Sequence, residues 1–548
     1  MTECKQEVFE FQVHGSRKVT GDFSGGYLSS DGGAVFLRGV DLKMGLIERL
    51  GGCFSDYRLP CLVEHKVTEL LRQRIGALAL GYEDLNDHDR LRLDPLHALI
   101  AGKADVLGED RLCEGDKGKA LAAHSTLNRL ELGALGGDTR YKKIIANPQE
   151  IEALLIEEGV KAIPRKIREI ILDFDATDDP LHGNQEGAFF HGYYRNYCYL
   201  PLYCFCGNIP LLAQLRDAKR DASSGTVEAL RKITCAIRKR FGRKVRIIVR
   251  ADSGFAREEI MAWCEDNGVY YCLGLARNKR LSARLGKCFG ELHRGIQSGE
   301  IQVPCRRFED FEYRTRKSWS RVRRVVGKAE ILDKGPNPRF VVTNLPAEGL
   351  PGEPEQRFAV PALYEKLYCA RGEMENRIKE AQQDLFADRT STGWMASNQL
   401  RLWFSAFAHL MLSVLRAEVL RGTDLATATL GQIRLKLFKI GTRIKISCRR
   451  IHLELASAYP YQKTFRHACA NLCAMSAGST SKEPLVDTRK RADFKLTDDP
   501  AQNSHSPGKK DQNGPPWLTD QGSQAKKSRS HGLHGLRNLP RHVERNRV

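Results

Sequence analysis

The sequence lacks the features that mark secreted, zinc-binding and membrane proteins. Its 16 cysteines are scattered and include no C-x-x-C pair, which argues against a cysteine metal site or a disulfide framework and favours reduced, packed thiols. No apolar run reaches the roughly 18 residues that a membrane-spanning helix needs, and residues 1–15 contain no hydrophobic signal core. We therefore expect a cytoplasmic protein with no membrane partner.

The chain also has fewer acidic residues than basic ones. The chain has 67 Asp and Glu against 87 Lys and Arg, so its formal charge is 87 − 67 = +20. Such an excess predicts a polyanionic partner, and nucleic acid is the commonest one. The alternative is a basic protein that uses its charge only for solubility. At 548 residues the chain is too long for one hydrophobic core, so more than one domain is expected.

The hydrophobic period changes along the chain and suggests a domain order. An alternating arm (Phe9, Phe11, Val13) precedes helical stripes, and from about residue 166 strands and helices alternate, which predicts a mixed α/β sheet with flanking helices. The predicted parts are a mostly helical N-terminal domain (1–165), a catalytic α/β domain (166–282 and 346–425), a basic β insertion (283–345), a C-terminal basic β element (426–470) and a disordered basic tail (471–548).

Three local patterns sharpen this division. Asp84 is expected to open one helix that continues through Ile100, and the alternation from Ile433 to Leu455 predicts a β element with one basic face. Residues 125–131 fit either a helix that approaches DNA, as in a helix-turn-helix, or an ordinary capped helix.

A β-branched run from Val245 to Val249 predicts a buried strand that ends in an acidic turn, Arg250-Ala251-Asp252-Ser253-Gly254. An aspartate at the end of such a strand projects into the crevice at the sheet edge, so Asp252 is a candidate site residue. The alternative is a helix N-cap, because Asp and Ser are favoured there and a helical pattern follows at Arg257.

A second predicted strand ends in Asp173-Phe174-Asp175, and Pro180 prevents further pairing. Two strand-terminal aspartates on one sheet are typical of sites where carboxylates share divalent cations for phosphodiester cleavage. Mg²⁺ prefers such hard oxygen ligands. A third carboxylate is then expected from a helix near the sheet edge.

Three motifs in order carry a family resemblance: Asp175-Ala176-Thr177, then Arg250-Ala251-Asp252-Ser253-Gly254-Phe255, then Tyr368-Cys369-Ala370-Arg371-Gly372-Glu373-Met374-Glu375. They resemble the acidic triad of bacterial insertion-sequence transposases, in which a Tyr, an Arg three residues on and a Glu four further on share one helix. Tyr368, Arg371 and Glu375 have this spacing. Residues 1 to about 465 most resemble the branch called insertion-sequence family thirteen-eighty.

The resemblance implies an RNase H-like catalytic fold, interrupted by a β insertion, in a DNA transposase that cuts element ends and joins them to target DNA. It assigns Asp175, Asp252 and Glu375 to two Mg²⁺ ions, with Mn²⁺ as a possible substitute. Tyr368, Arg371 and Lys379 would contact double-stranded DNA. The family helix often has a Lys seven residues past the Glu, where this chain has Gln382.

Several alternatives stay open at the level of sequence. Asp173 and Asp175 point to the same face of a strand, so either could be the ligand. Glu373 and Glu380 are rivals of Glu375, and Arg371 could simply pair with that glutamate. The functional alternatives are an RNase H-like nuclease without strand transfer and an inactive DNA-binding relative. Because two DNA ends must meet, a homodimer is expected, associated with the nucleoid when bound to DNA.

Overall fold

A computed structural model of the chain describes residues 8–135, 143–350 and 356–475. The predicted tail from residue 476 onward lies outside the described residues. The N-terminal part contains the strands β1 (Phe9–His14), β2 (Arg17–Gly21), β3 (Tyr27–Ser29), β4 (Phe54–Asp56) and β5 (Ile144–Ala146), and the helices α1 (Val35–Met44), α2 (Leu46–Gly52), α3 (Val67–Leu80), α4 (His88–Leu91), α5 (Pro95–Ala101), α6 (His124–Glu131) and α7 (Pro148–Ala162).

Strands and helices alternate in the middle of the chain. The strands are β6 (Glu169–Ala176), β7 (Asp179–Pro180), β8 (Phe189–His191), β9 (Asn196–Tyr199), β10 (Leu202–Cys206), β11 (Ile209–Gln214), β12 (Arg246–Ala251), β13 (Tyr270–Leu275), β14 (Cys305–Tyr313), β15 (Arg323–Leu332), β16 (Gly335–Pro336) and β17 (Arg339–Thr343). The helices are α8 (Thr226–Phe241), α9 (Glu258–Asp266), α10 (Lys279–Arg284) and α11 (Gly286–Gln297).

The C-terminal part is mostly helical and ends with a hairpin and a helix. Its elements are α12 (Val360–Ala362), α13 (Gly372–Lys379), α14 (Met395–Val414), α15 (Leu430–Ile433), β18 (Thr442–Ser447), β19 (Arg450–Leu455) and α16 (Gln462–Ala474). Helical turns join α12 to α13 and extend α13 to Asp384, so residues 360–384 form one helical run. We call this run the site helix.

One mixed sheet of nine strands organises the middle of the chain, in the order β11-β10-β6-β12-β13-β17-β15-β14, with β16 beside β15. β6, β12 and β13 are parallel, and their neighbours on both sides are antiparallel. The strands predicted as a β insertion continue this sheet, because Val342 of β17 pairs with Leu273 of β13. The prediction of a mixed α/β fold with a mixed sheet is confirmed.

Helix α14 lies at the centre of the largest apolar cluster, which it shares with α1, α3, α7 and β11. Contrary to the expectation from sequence, Met395–Val419 is long and apolar enough in composition to cross a membrane. Its apolar window is 89% buried inside the protein, which is typical of a core helix in a globular protein.

Two local predictions were wrong. The helix expected from Asp84 through Ile100 is broken, because Asp94 accepts a hydrogen bond from the backbone N–H of Leu96 and Pro95 starts α5 as a new helix. The β element expected from Ile433 begins only at Thr442. Residues 430–438 are helical instead, since Thr429 and Gln432 cap each other's backbone.

A buried cation ties the outer part of the sheet to a helix. Arg323 on β15 is 4% exposed and donates to Glu258 and Glu265 of α9 at 2.6 Å each. Burial raises the pKa of Glu258, but the hydrogen bonds from Arg323 and Ser320 and the charge of Arg323 together outweigh burial and lower that pKa to about 2. Breaking such a pair leaves charges without partners inside the protein.

We expect Arg323→Gln to lower the free energy of unfolding by about 3 kcal/mol at pH 7, measured by urea denaturation. The Glu258 pKa is depressed below its usual 4.5, so the stabilisation is present above pH 4.5 and is lost as pH falls towards 2. The difference between wild type and variant should therefore shrink on acidification. Arg321→Gln is the control, because Arg321 is half-exposed and should contribute no more than about 1 kcal/mol. Equal losses in both variants would contradict the assignment.

Candidate functional site

Two parallel strands bring the predicted aspartates to one edge of the sheet. β6 and β12 pair in register, with Asp173 opposite Arg250 and Phe174 opposite Ala251. Asp175 is the next residue on β6, and Asp252 is the first residue beyond β12. The structure therefore sets Asp175 and Asp252 side by side, at what we call the acidic edge.

Asp252 is not the N-cap of the following helix, which was the alternative from sequence. Its Oδ1 accepts a hydrogen bond from the backbone N–H of Gly254 at 2.9 Å and so caps the short turn Ser253–Phe255. It does not cap α9, which begins three residues after that turn, at Glu258. The Oδ2 atom accepts no hydrogen bond from the described residues, so the cap leaves one carboxylate oxygen available for a ligand.

Asp173 is fully engaged elsewhere. It is 3% exposed and accepts two hydrogen bonds from the Arg250 guanidinium, at 2.7 Å each. The third nitrogen of Arg250 donates to the carbonyl of Leu367 on the site helix at 2.8 Å. Asp173 is thus occupied by Arg250, whereas Asp175 accepts hydrogen bonds from the backbone N–H of Ala176 and from Arg371.

The site helix brings Arg371 and Glu375 to the acidic edge. Arg371 Nη1 lies 3.1 Å from Asp175 Oδ2, and Arg371 Nη2 lies 3.1 Å from Glu375 Oε1. Glu375 is half-exposed, whereas Asp175 is 16% exposed. Arg371 therefore does pair with Glu375, as the alternative from sequence allowed. The same guanidinium also pairs with Asp175 of β6.

The rival glutamates point elsewhere. Glu373 is 72% exposed and lies 3.7 Å from Arg377. Glu380 is buried, where it pairs with Arg416 and Arg377 and accepts a hydrogen bond from the backbone N–H of Leu430. Of the three candidate glutamates, Glu375 is the one that pairs with Arg371.

Burial and the neighbouring charges together set the pKa of Asp175. Burial raises its pKa to about 6; Arg371 opposes the shift, and the negative charges of Asp252 and Glu375 add to it. The Arg371 pKa is raised in turn: burial opposes the shift, and Asp175, Tyr368, Glu375 and Asp252 favour it. The acidic edge therefore holds more negative charge than its one guanidinium neutralises.

Tyr368 reaches the same edge over a glycine that sequence reasoning missed. A Cβ atom on Gly274 of β13 would lie 2.5 Å from the Tyr368 hydroxyl and 2.9 Å from the backbone nitrogen of Ser253. Burial raises the pKa of Tyr368, with Arg371 opposing and Asp252 adding to the shift. A glycine within a strand marks such a close approach, and that was the available signal.

Lys379 and Gln382 take different directions on the site helix. Lys379 is exposed one turn beyond Glu375 and makes no ion pair with the described residues. Gln382 turns inward, and its Nε2 donates to the buried Asp179 Oδ1 at 3.1 Å. The position where the resembled family often has a lysine thus faces the interior in this chain.

The donor set suits a hard divalent cation, because Asp175, Asp252 and Glu375 offer only carboxylate oxygens. Among the described residues no group of three or more His, Cys, Asp or Glu side chains is gathered closely enough to hold a metal ion. Arg371, between two of the carboxylates, supplies the positive charge instead. The three residues are of the right chemical type to bind a divalent metal ion, but their carboxylates are not gathered as closely as in a metal-binding cluster.

A family model described as Transposase DDE domain group 1 matches residues 11–477. The chain belongs to this family. DDE transposases are in general dependent on divalent metals, which agrees with the carboxylate donors of the acidic edge. No curated protein matches the chain.

Among the solved structures that match is a cryo-EM structure of a piggyBac transposase synaptic complex with hairpin DNA. It shares 9% identity with this chain, and the match covers 84% of this chain and 88% of that one, with a TM-score of 0.35. A likeness of this size does not establish a shared fold for the DDE chain.

Gly274→Ala tests the close approach at the acidic edge. The added methyl group would overlap Tyr368 and the Ser253 backbone, so we expect the free energy of unfolding to fall by about 1–3 kcal/mol. Gly290→Ala in α11 is the control, since its Cβ meets no atom within 4 Å and alanine favours a helix. Denaturant titration of both variants measures the effect, and an unchanged Gly274→Ala protein would argue against this packing.

Proposed function

We propose that the chain is the transposase of a bacterial insertion sequence, of the thirteen-eighty type, and that Asp175, Asp252 and Glu375 are its catalytic residues. The observation that supports this most directly is the double contact of Arg371 with Asp175 and Glu375, beside the strand end that carries Asp252. These residues come from three distant parts of a chain that belongs to a DDE family.

The topology supports an RNase H-like catalytic fold. The strands β11-β10-β6-β12-β13 are antiparallel on one side of β6 and parallel on the other. In this proposal the strands of residues 283–345 are a basic insertion that widens the sheet. Residues 1–165 and 426–470, together with the insertion, would grip the terminal inverted repeats through phosphate contacts of their Arg and Lys side chains.

The proposed reaction has two phosphoryl-transfer steps. Water attacks a phosphodiester at the element boundary, and the bond from phosphorus to the 3′ oxygen breaks to leave a 3′ hydroxyl. That hydroxyl then attacks a phosphodiester of target DNA, and the displaced target oxygen leaves as a new 3′ hydroxyl. Asp175, Asp252 and Glu375 would hold two Mg²⁺ ions, or Mn²⁺ in their place, which supply positive charge to the phosphate and help to activate the attacking oxygen.

Arg371 and Tyr368 would position the DNA end. The fork of donors on Arg371, which now serves two carboxylates, also matches a phosphate in bidentate geometry. Tyr368 would stack on or hydrogen-bond to the DNA end. We further propose a homodimer on the DNA, since two ends must be joined, and a cytoplasmic, nucleoid-associated protein.

Asp252→Asn should abolish nicking and spare DNA binding, because the variant keeps a side-chain oxygen for the turn but loses the negative charge. A labelled duplex of the flanking element end, incubated with Mg²⁺ or with EDTA, measures nicking, and a shift assay measures binding. Asp266→Asn is the control: this side chain is 64% exposed at the end of α9 and pairs with Arg321. Retained nicking by the Asp252→Asn variant would contradict the assignment of Asp252 as a catalytic residue. Binding without nicking by the wild type would indicate an inactive relative. Nicking that is not followed by joining to target DNA would indicate a nuclease.

Lys379 and Gln382 allow a paired test within one helix. Lys379→Gln should lower the slope of log affinity against log salt for DNA by about 0.9, the value for one phosphate contact. Gln382→Ala should leave that slope unchanged but destabilise the fold by about 1–3 kcal/mol, because the buried Asp179 loses its side-chain donor. Salt titrations and urea denaturation separate the two effects, and an unchanged slope in Lys379→Gln would remove Lys379 from the DNA contact.

A further inference from the structure

The edge of the sheet opposite the acidic edge is formed by two loops that precede parallel strands. Residues 163–168 lead into β6, and residues 242–245 lead into β12. The two strands start in register, with Glu169 opposite Arg246, and the backbone N–H of Arg246 donates to the carbonyl of Arg168 at 3.0 Å. The loops therefore lie side by side, about 25 Å from the acidic edge, given about 3.3 Å for each residue of β6.

A single arginine fixes the helices that enter these loops. Arg240, in the last turn of α8, donates to the carbonyls of Val160 and Ile163 at 2.8 and 2.9 Å. The end of α8 is thereby tied to the end of α7. A cavity of about 1310 Å³ lies beside this junction, and Arg165 and Arg240 are among its lining residues.

Six exposed cations gather on these loops and on the last turn of α8: Arg165, Lys166, Arg168, Lys239, Arg243 and Lys244. We call them the basic edge. None of their side chains forms a hydrogen bond or an ion pair with the described residues. Earlier on α8 the pattern differs, since Arg231 pairs with Glu228 and Lys232 pairs with Glu152.

The neighbouring acids do not neutralise this charge. Glu157 and Glu158 pair with Lys161, and Glu158 also pairs with Arg49. Glu169 is engaged by Arg246 and Arg357. Six like charges on one small surface raise its potential and favour a polyanion over a neutral partner.

We propose that the basic edge binds the phosphate backbone of double-stranded DNA, separately from the DNA held at the acidic edge. The six side chains offer phosphate contacts, and the aromatic residue within their segment, Phe241, packs against the hydrophobic core, so the basic edge favours a duplex backbone over unpaired bases. The choice of DNA as the polyanion rests on the proposed function. The site itself is additional, because it lies at the opposite ends of β6 and β12, about 25 Å from the acidic edge.

The test compares two quadruple variants of the full chain with equal net charge. The first is Lys166→Gln, Arg168→Gln, Arg243→Gln and Lys244→Gln. The control removes four exposed cations that each pair with a carboxylate, by Arg220→Gln, Arg231→Gln, Lys232→Gln and Arg421→Gln. Fluorescence anisotropy with a labelled 60-bp duplex is recorded over a range of salt concentrations, and melting curves check the fold.

We expect the first variant to lose at least tenfold in affinity near 0.1 M salt and to lower the salt slope by about 3 to 4, at about 0.9 for each phosphate contact. The control should lower the slope by less than 1. Any nicking of a short duplex that ends close to the nick, measured at a saturating concentration of that duplex, should be alike in the two variants. Equal slopes for the two variants on the long duplex would overturn the proposal, as would a loss of that nicking in the first variant alone.

Two further measurements distinguish this proposal from binding to any polyanion and from the proposed transposase function. Wild-type binding to polyglutamate of equal charge, as tight as to the duplex, would overturn the assignment to DNA. A wild-type protein that never nicks DNA would remove the proposed function. The difference in salt slope between the two variants would still establish the basic edge, because it is a measurement of binding alone.

Discussion

The geometry of the acidic edge depends on the buried ion pair of Asp173 with Arg250. Each residue lies opposite the other on neighbouring parallel strands, and both Asp173 oxygens and all three guanidinium nitrogens are used. The third nitrogen holds the Leu367 carbonyl, so one side chain connects β6, β12 and the site helix. Removing either partner would leave a buried charge unpaired, which is strongly unfavourable. Tyr368, which follows Leu367 directly, takes its position from this link.

Next to this ion pair, the acidic edge has more negative than positive charge. One guanidinium, Arg371, faces Asp175 and Glu375 and lies within electrostatic range of Asp252. Burial is the main reason that the pKa of Asp175 is raised to about 6 although an arginine touches it, and the negative charges of Asp252 and Glu375 add to the shift. Any cation that reaches the edge is stabilised by the same negative charge. In a chain with a formal charge of +20, negative charge is thus concentrated where a phosphodiester is proposed to react.

Much of the fold follows from local pattern, but its long-range pairing does not. The β-branched run before Asp252 and the helical spacing of Tyr368, Arg371 and Glu375 are visible in the sequence. The continuation of the sheet from β13 into β17 is not, since the two strands are more than sixty residues apart and their pairing is set by tertiary contacts. The role of Arg250 was missed for the same reason, whereas Gly274 was visible as a glycine within a strand. The break at Asp94-Pro95 was different, because the capping residue and the proline were both visible in the sequence.

Parallel strands give the sheet two chemically different edges. The ends of β6 and β12 carry Asp175 and Asp252, and the loops before the same strands carry the basic edge. At about 25 Å the two edges are separated by more than the Debye length of about 8 Å at physiological salt. The six cations therefore cannot neutralise the carboxylates, and the pKa of Asp175 stays raised despite the basic chain. Positive charge at the acidic edge has to come from Arg371 or from a bound ligand. A polyanion on the opposite edge would therefore not compete with the carboxylates for that positive charge.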